Sequence, residues 1–150
     1  MVYAHPRIKS LQRRNNSVSN ALPQRKAEQR LLEQALVTGG SREYDLQHPI
    51  CCGQLEKRAA ELLLELGQKA AMDGCVPGHI KCLLEPACGG RLGLSCTLAD
   101  RVERMPSGPW NAQNEMRQYR ITLNVNLLIP AQIDPEDFFS KMERSFSAEC

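Results

Sequence analysis

Hydrophobic residues recur every three or four positions from Leu55 to Ala70, and charged residues occupy the opposite face of the same stretch. This spacing predicts an amphipathic helix whose apolar stripe packs on a core. Gly74 follows, a residue type that commonly ends a helix. A second helix is predicted from Asp134 to Ser147, because an N-cap aspartate precedes a proline at the first helical position and an apolar stripe follows.

Between these helices the hydrophobic period changes to two, the period of a strand with one buried face. The alternation is present in residues 79–85 and 91–98, and it is strictest in residues 119–129. A glycine-containing turn at residues 86–90 joins the first two strands into a hairpin. Strict alternation favours an antiparallel sheet with one solvated face. We therefore predict an α+β fold, a three-stranded antiparallel meander with two main helices packed on one face (α-β-β-β-α).

The residues before this domain lack such periodicity. Residues 1–22 are polar and rich in Asn, Ser and Arg, and such a composition buries too little apolar surface to offset chain entropy. We interpret them as a flexible, disordered basic arm. Residues 23–52 are predicted to form a short helix, which begins at Pro23 and stops before Gly39, and then a connector. Residues 53–150 are predicted to form the single α+β domain.

Composition refines this picture only slightly. The chain has 150 residues, of which 42% are hydrophobic and 24% charged, values that are ordinary for one globular domain. No apolar run approaches the roughly 18 residues of a membrane span, and the first residues lack the apolar segment of a secretory signal. Seven cysteines would leave one thiol unpaired in an oxidising compartment. We therefore expect a cytoplasmic protein with no membrane partner.

Charge is segregated along the chain, although the formal net charge is only +2. Residues 1–30 contain seven basic residues and one acidic residue, so the remaining residues are net acidic. Because such an arm is able to neutralise phosphates, a nucleic-acid-binding protein is an alternative hypothesis. The same composition is also typical of a solvating tail, a partner-binding arm or a targeting segment. The candidate phosphate contacts are Arg7, Lys9, Arg13, Arg14, Arg25 and Lys26.

Two pairs of potential zinc ligands flank the first predicted helix, His48 with Cys51 and Cys75 with His79. A helix of about 18 residues is roughly 27 Å long and would hold the two pairs apart, so we predict no metal site. Motifs for nucleotide binding, dithiol redox chemistry and nucleophilic serine catalysis are missing from the sequence. The sequence therefore nominates no catalytic residue and no cofactor. A small thiol-dependent or ligand-binding enzyme stays a third hypothesis, and the sequence leaves open the roles of Cys51, Cys52, Cys75, Cys88 and Cys150.

The solvated sheet face is the first of two features that favour a protein-interaction function. Its predicted side chains include cationic and hydrogen-bonding groups and no acid except Glu85 at its margin, although any solvated sheet face is polar. The candidate interaction residues on this face are His79, Lys81, Arg91, Ser95, Thr97, Arg120, Thr122, Asn124 and Asn126.

The second feature is Trp110, the one tryptophan of the chain, which lies in a segment rich in Pro, Gly and Asn. Tryptophan in such a loop is typical of an interface anchor. Alternatively, the indole ring folds back to cover one end of the core. Our leading hypothesis is a non-enzymatic accessory or protein-interaction domain that docks on another protein through the sheet face and the Trp110 loop.

Overall fold

The structure is a computed structural model, and it describes residues 35–147. The predicted basic arm of residues 1–22 and the predicted helix beginning at Pro23 lie outside the described residues, except for the last few positions before Gly39. The elements are β1 (Leu36–Cys51), α1 (Cys52–Ala70), β2 (Cys75–Pro86), β3 (Arg91–Leu98), β4 (Arg101–Ser107), β5 (Glu115–Leu127) and α2 (Pro135–Ser147).

The five strands form one antiparallel sheet in the order β1-β5-β2-β3-β4. The α+β class agrees with the prediction, but the three-stranded meander is wrong in two respects. The sheet contains two additional strands, β1 and β4, one at each edge. In addition, β5 pairs with β2 rather than with β3, so the two longest alternating strands are neighbours at the centre.

β1 occupies residues that were predicted to form the end of the short helix and the connector after it, so both predictions are wrong for residues 36–51. Gly39 and Gly40 suggested a turn, but here they lie inside the strand. A Cβ atom at Gly39 would overlap the carbonyl oxygen of Leu123 on β5, so glycine permits the close approach of the two backbones. The strand then bulges between Asp45 and Ile50, where its register with β5 shifts.

β4 occupies part of the segment that was predicted to connect the second and third strands. All of its side chains are exposed except Val102, which is half-buried. Without buried positions the strand has no hydrophobic alternation, and its pairing with β3 determines its place. Pro106 is tolerated because an edge strand has one row of backbone groups without a partner strand.

The core lies between one face of the sheet and the two helices. The apolar stripe predicted for α1 is confirmed, since Leu55, Leu62, Leu63 and Leu66 are buried. The helix ends at Ala70, four residues before the glycine expected to stop it. The remaining large buried side chains are Ile80, Leu84, Leu92, Leu94, Ile121, Leu123, Val125, Leu127, Phe138, Phe139 and Met142.

Two local features fix the helices against the sheet. At the start of α2, the Asp134 carboxylate accepts a hydrogen bond from the Glu136 N–H at 3.0 Å, so the predicted N-cap is confirmed. In α1, a Cβ atom at Gly67 would overlap the Cys96 sulfur of β3, so glycine allows the helix to lie close to the sheet. Within the described residues, neither helix is long and apolar enough to cross a membrane.

Candidate docking surface

The sheet face turned away from α1 and α2 is not covered by any other helix or strand of residues 35–147. We call it the open face. Because the strands pair in register, its side chains form rows that run across the strands. The row that crosses all five strands is uncharged, and we call it the neutral row. It consists of Ser41, Thr122, Leu83, Gly93 and Met105.

The row next to it is charged, and we call it the charged row. It consists of Glu43, Arg120, Glu85 and Arg91, in order from β1 to β3. Arg120 forms an ion pair with Glu43, and the hydrogen bond that the guanidinium donates to this carboxylate raises the pKa of Arg120 above its ordinary value. Arg91 Nε lies 3.5 Å from Glu85 Oε2. The charges therefore alternate in sign along the row.

On the other side of the neutral row lies a polar row formed by Asn124, Lys81, Ser95 and Glu103. Beyond it, His79 is paired with Asn126. The alternation along β3 places Thr97 on the same face as Ser95. The register thus brings together all the sheet residues that the sequence predicted for this face.

The edge strands add acidic residues that the sequence prediction did not include. β1 contributes Glu43 and Asp45, and β4 contributes Glu103. The open face therefore carries three permanent cations against four carboxylates, rather than the mainly cationic surface expected from the central strands alone. The edges also contribute two exposed apolar side chains, Val37 and Met105, which are 75% and 70% exposed.

The Trp110 loop packs against the edge of the core. The Trp110 side chain is half-buried, and its Nε1 atom is buried without a hydrogen-bond partner among residues 35–147. The loop also caps α1, because the N–H groups of Cys52 and Gly53 donate to carbonyl groups of the loop at 2.8 Å. This placement agrees with a cover for one end of the core, and the docking role of Trp110 stays a prediction.

A thiol pair lies where the start of α1 meets the β2–β3 turn. Cys52 Sγ is 3.7 Å from Cys88 Sγ, although the two residues are 36 positions apart in the chain. Cys52 is buried, Cys88 is exposed, and Cys51 next to them is half-buried. Burial, together with the neighbouring Cys88 thiol, raises the pKa of Cys52 to about 12. Cys150 lies outside the described residues.

A shallow cleft of about 580 Å³ borders this thiol pair at the end of the sheet. Its lining includes Asp45, Cys88, Glu115 and Arg117, so the cleft contains both signs of charge. Within residues 35–147, no three His, Cys, Asp or Glu side chains converge as the ligands of a metal ion would. The cleft and the thiols do not form a set of acid, base and nucleophile that would identify a reaction.

The candidate phosphate contacts of the nucleic-acid hypothesis all lie outside the described residues. Within the part of the chain that the structure describes, the open face does not add a basic surface to the basic N-terminal residues, because its carboxylates balance its cations. The nucleic-acid hypothesis therefore depends on the N-terminal residues Arg7, Lys9, Arg13, Arg14, Arg25 and Lys26, and it stays untested.

Comparison with known proteins adds little to this description. No protein-family profile matches the chain, and no curated protein matches it. Among solved structures, a zinc-bound triple mutant of the GTPase YjiA is similar at 16% sequence identity with a TM-score of 0.38. The likeness covers 72% of this chain and 29% of that one, so this chain spans less than a third of that protein. A likeness this distant supports no statement about the fold or the function of the chain.

Proposed function

We propose that this protein is a non-enzymatic protein-interaction protein that docks through the open face of its sheet. The observation that carries the proposal is the order of charge in the charged row, which is negative, positive, negative and positive from β1 to β3. A partner surface with the opposite order would pair all four charges. Electrostatic complementarity of this kind gives specificity and orientation to an interface.

A second copy of this chain presents such a surface. In the proposed dimer, the open faces of two copies meet, and a two-fold axis that runs parallel to the strands, between β5 and β2, relates the copies. Each row then faces the same row of the other copy, with its residues in reverse order. Arg120 of one copy then opposes Glu85 of the other, and Glu43 opposes Arg91. We therefore commit the proposal to a second copy of this chain as the partner.

The other rows are compatible with this arrangement. In the neutral row Thr122 opposes Leu83, and in the polar row Asn124 opposes Lys81. Neither row brings like charges together across the axis. Sheets that pack face to face lie about 10 Å apart with their strands within about 30° of each other, which leaves room for both sets of side chains.

The expected association is weak and reversible. Four strands and three rows cover roughly 400 Å² per copy at ordinary strand and residue spacings. Interfaces of that size belong to transient complexes rather than to obligate dimers. Because solvent-exposed ion pairs are screened by salt, the affinity is expected to fall as ionic strength rises.

The test is a charge exchange between the two central strands. The variants Arg120→Glu and Glu85→Arg each place like charges opposite one another in a symmetric dimer, so each variant alone is expected to stay monomeric. When the two variants are mixed, the substituted positions again face opposite charges, and association should return. Sedimentation velocity of the full chain at low salt, over a range of concentrations, measures both effects.

Arg144→Glu, on the exposed surface of α2, is the matched control because it makes the same change in net charge on the helical side of the molecule. It should associate like the unchanged protein. Three results would contradict the proposal: a wild-type chain that stays monomeric at low salt, a mixture that stays monomeric, or an Arg144→Glu variant that dissociates as far as Arg120→Glu does.

The proposal includes a cytoplasmic location. It is supported by the six cysteines of residues 35–147, all of which are free thiols. Free cysteines are typical of proteins that work in a reducing compartment.

A further inference from the structure

The Cys52–Cys88 thiol pair joins two parts of the chain that the sequence gives no reason to connect. Neither residue belongs to a Cys-x-x-Cys motif, and the first residue of α1 and the β2–β3 turn meet only because the sheet brings them together. The 3.7 Å between the two sulfur atoms has to shorten to about 2.05 Å for a disulfide bond. Because Cys88 is exposed and lies in a turn, we expect the movement on its side of the pair.

We propose that Cys52 and Cys88 form a reversible disulfide bond when the protein meets a low-molecular-weight disulfide such as oxidised glutathione. The Cys88 thiolate attacks one sulfur of the small disulfide, forms a mixed disulfide and releases the first small thiol. The Cys52 thiolate then attacks the Cys88 sulfur and releases the second small thiol. Both protein thiols are oxidised, the small disulfide is reduced to two thiols, and the two protons of the protein thiols end on the released thiols.

Exposure determines the order of these two steps. Cys88 is exposed, so an oxidant in solution reaches it first, whereas Cys52 is only 1% exposed and is shielded from direct attack. The high pKa of Cys52 arises mainly from burial and in part from the Cys88 thiol beside it. Conversion of Cys88 to a mixed disulfide removes that second contribution, which favours the thiolate form of Cys52 for the second step.

The surrounding backbone holds the two thiols in place. The Cys52 N–H donates to the carbonyl group of Asn114 at 2.8 Å, which fixes the start of α1. On the other side, the Ala87 N–H donates to the carbonyl group of Gln118 at 2.9 Å, and the Gly89 N–H donates to that of Pro86 at 3.1 Å. The fold therefore keeps two cysteines that are distant in the sequence close to each other.

The experiment equilibrates the full chain with reduced and oxidised glutathione at several ratios, once in native buffer and once in a denaturant that unfolds it. Peptide mapping by mass spectrometry without reduction then identifies which cysteines are paired. We expect the Cys52–Cys88 disulfide to form in native buffer with an equilibrium constant about 30-fold or more above that in the unfolded chain. A ratio of this size corresponds to the stabilisation of the folded state that a native disulfide typically gives.

Single variants assign the steps. Cys88→Ser should abolish the disulfide, and Cys52→Ala should accumulate the mixed disulfide on Cys88. Cys75→Ser is the matched control, since Cys75 is exposed like Cys88 but makes no hydrogen bond to another thiol in residues 35–147. Cys51→Ser tests the neighbouring residue. Both should retain the Cys52–Cys88 bond. Mapping of the bond to Cys51, or equal equilibrium constants in the native and unfolded chain, would overturn the proposal.

Discussion

The central strands of the sheet and its edge strands are held in place by different interactions. In β5, β2 and β3 buried residues alternate with half-buried or exposed ones, and their buried side chains form the sheet side of the core. β4 has no buried residue, and β1 has only Ile50, near its end. The edge strands depend on backbone pairing and on a few contacts with the helices. Hydrophobic alternation therefore marks the strands that build the core and leaves strands at the edge unmarked.

The same difference determines the chemistry of the open face. The central strands supply its cations, Lys81, Arg91 and Arg120, together with Glu85. The edge strands supply the remaining carboxylates on Glu43, Asp45 and Glu103. A face assembled from the central strands alone would attract anions, whereas the complete face alternates in sign. The edges therefore change which partner the surface suits.

The largest loss of unfolding free energy is expected from the substitution of a buried residue in a central strand. Leu123 on β5 is 0% exposed, so Leu123→Ala leaves a cavity and should lower the free energy of unfolding by about 2–5 kcal/mol. The neighbouring Asn124 points to the open face, and Asn124→Ala should change that free energy by about 0.5 kcal/mol or less. Urea unfolding followed by circular dichroism compares the two variants. Equal losses would contradict a core confined to one face.

A smaller loss of stability is expected at the place where the backbones of β1 and β5 approach each other closely. Ala at position 39 would place its methyl group against the Leu123 carbonyl oxygen, so Gly39→Ala should cost about 1–3 kcal/mol of unfolding free energy. Gly40 is the matched control, because the atoms nearest to a Cβ there belong to the Arg42 side chain and the Phe139 ring, at an ordinary contact distance of 3.5 Å. Gly40→Ala should therefore be close to neutral or slightly stabilising.

The same urea unfolding experiment measures both glycine variants. The comparison is informative because the two substitutions have the same chemistry and lie next to each other in one strand. If both variants lost the same stability, the loss would reflect the strand environment in general and not the close contact with β5.

The sequence was sufficient to predict the two main helices and the three central strands because their side chains have one buried and one solvated side. Leu123 and Val125, separated by the exposed Asn124, show this pattern in its simplest form. It was not sufficient for β1, because Gly39 and Gly40 are turn residues by local preference and their role depends on β5, far away in the chain. The order of the strands was equally inaccessible, since alternation indicates which face of a strand is buried and not which strand lies beside it.

The same limit applies to the candidate sites. The alternation placed Lys81, Asn124 and the other polar residues of the central strands on one face. The acids of the edge strands were missed with the strands themselves. The proximity of Cys52 to Cys88 left no signal in the sequence, because their distance depends on the packing of α1 against the β2–β3 turn. Local patterns predict faces, and tertiary structure determines which side chains meet.

The smallest effect is expected from a polar contact that ties β4 to the helical layer. Arg104 donates from Nε and Nη2 to Glu56 Oε1 on α1, at 2.8 and 2.7 Å, but its side chain is 52% exposed. A double-mutant cycle with Arg104→Met and Glu56→Gln should give a coupling of about 0.2–1 kcal/mol, because water competes for an exposed ion pair. High salt should reduce this coupling energy.

Arg101→Met in the same strand is the control, since Arg101 forms no ion pair within residues 35–147 and should show no coupling to Glu56. A coupling of several kcal/mol would mean that polar contacts, rather than backbone pairing, hold the edge.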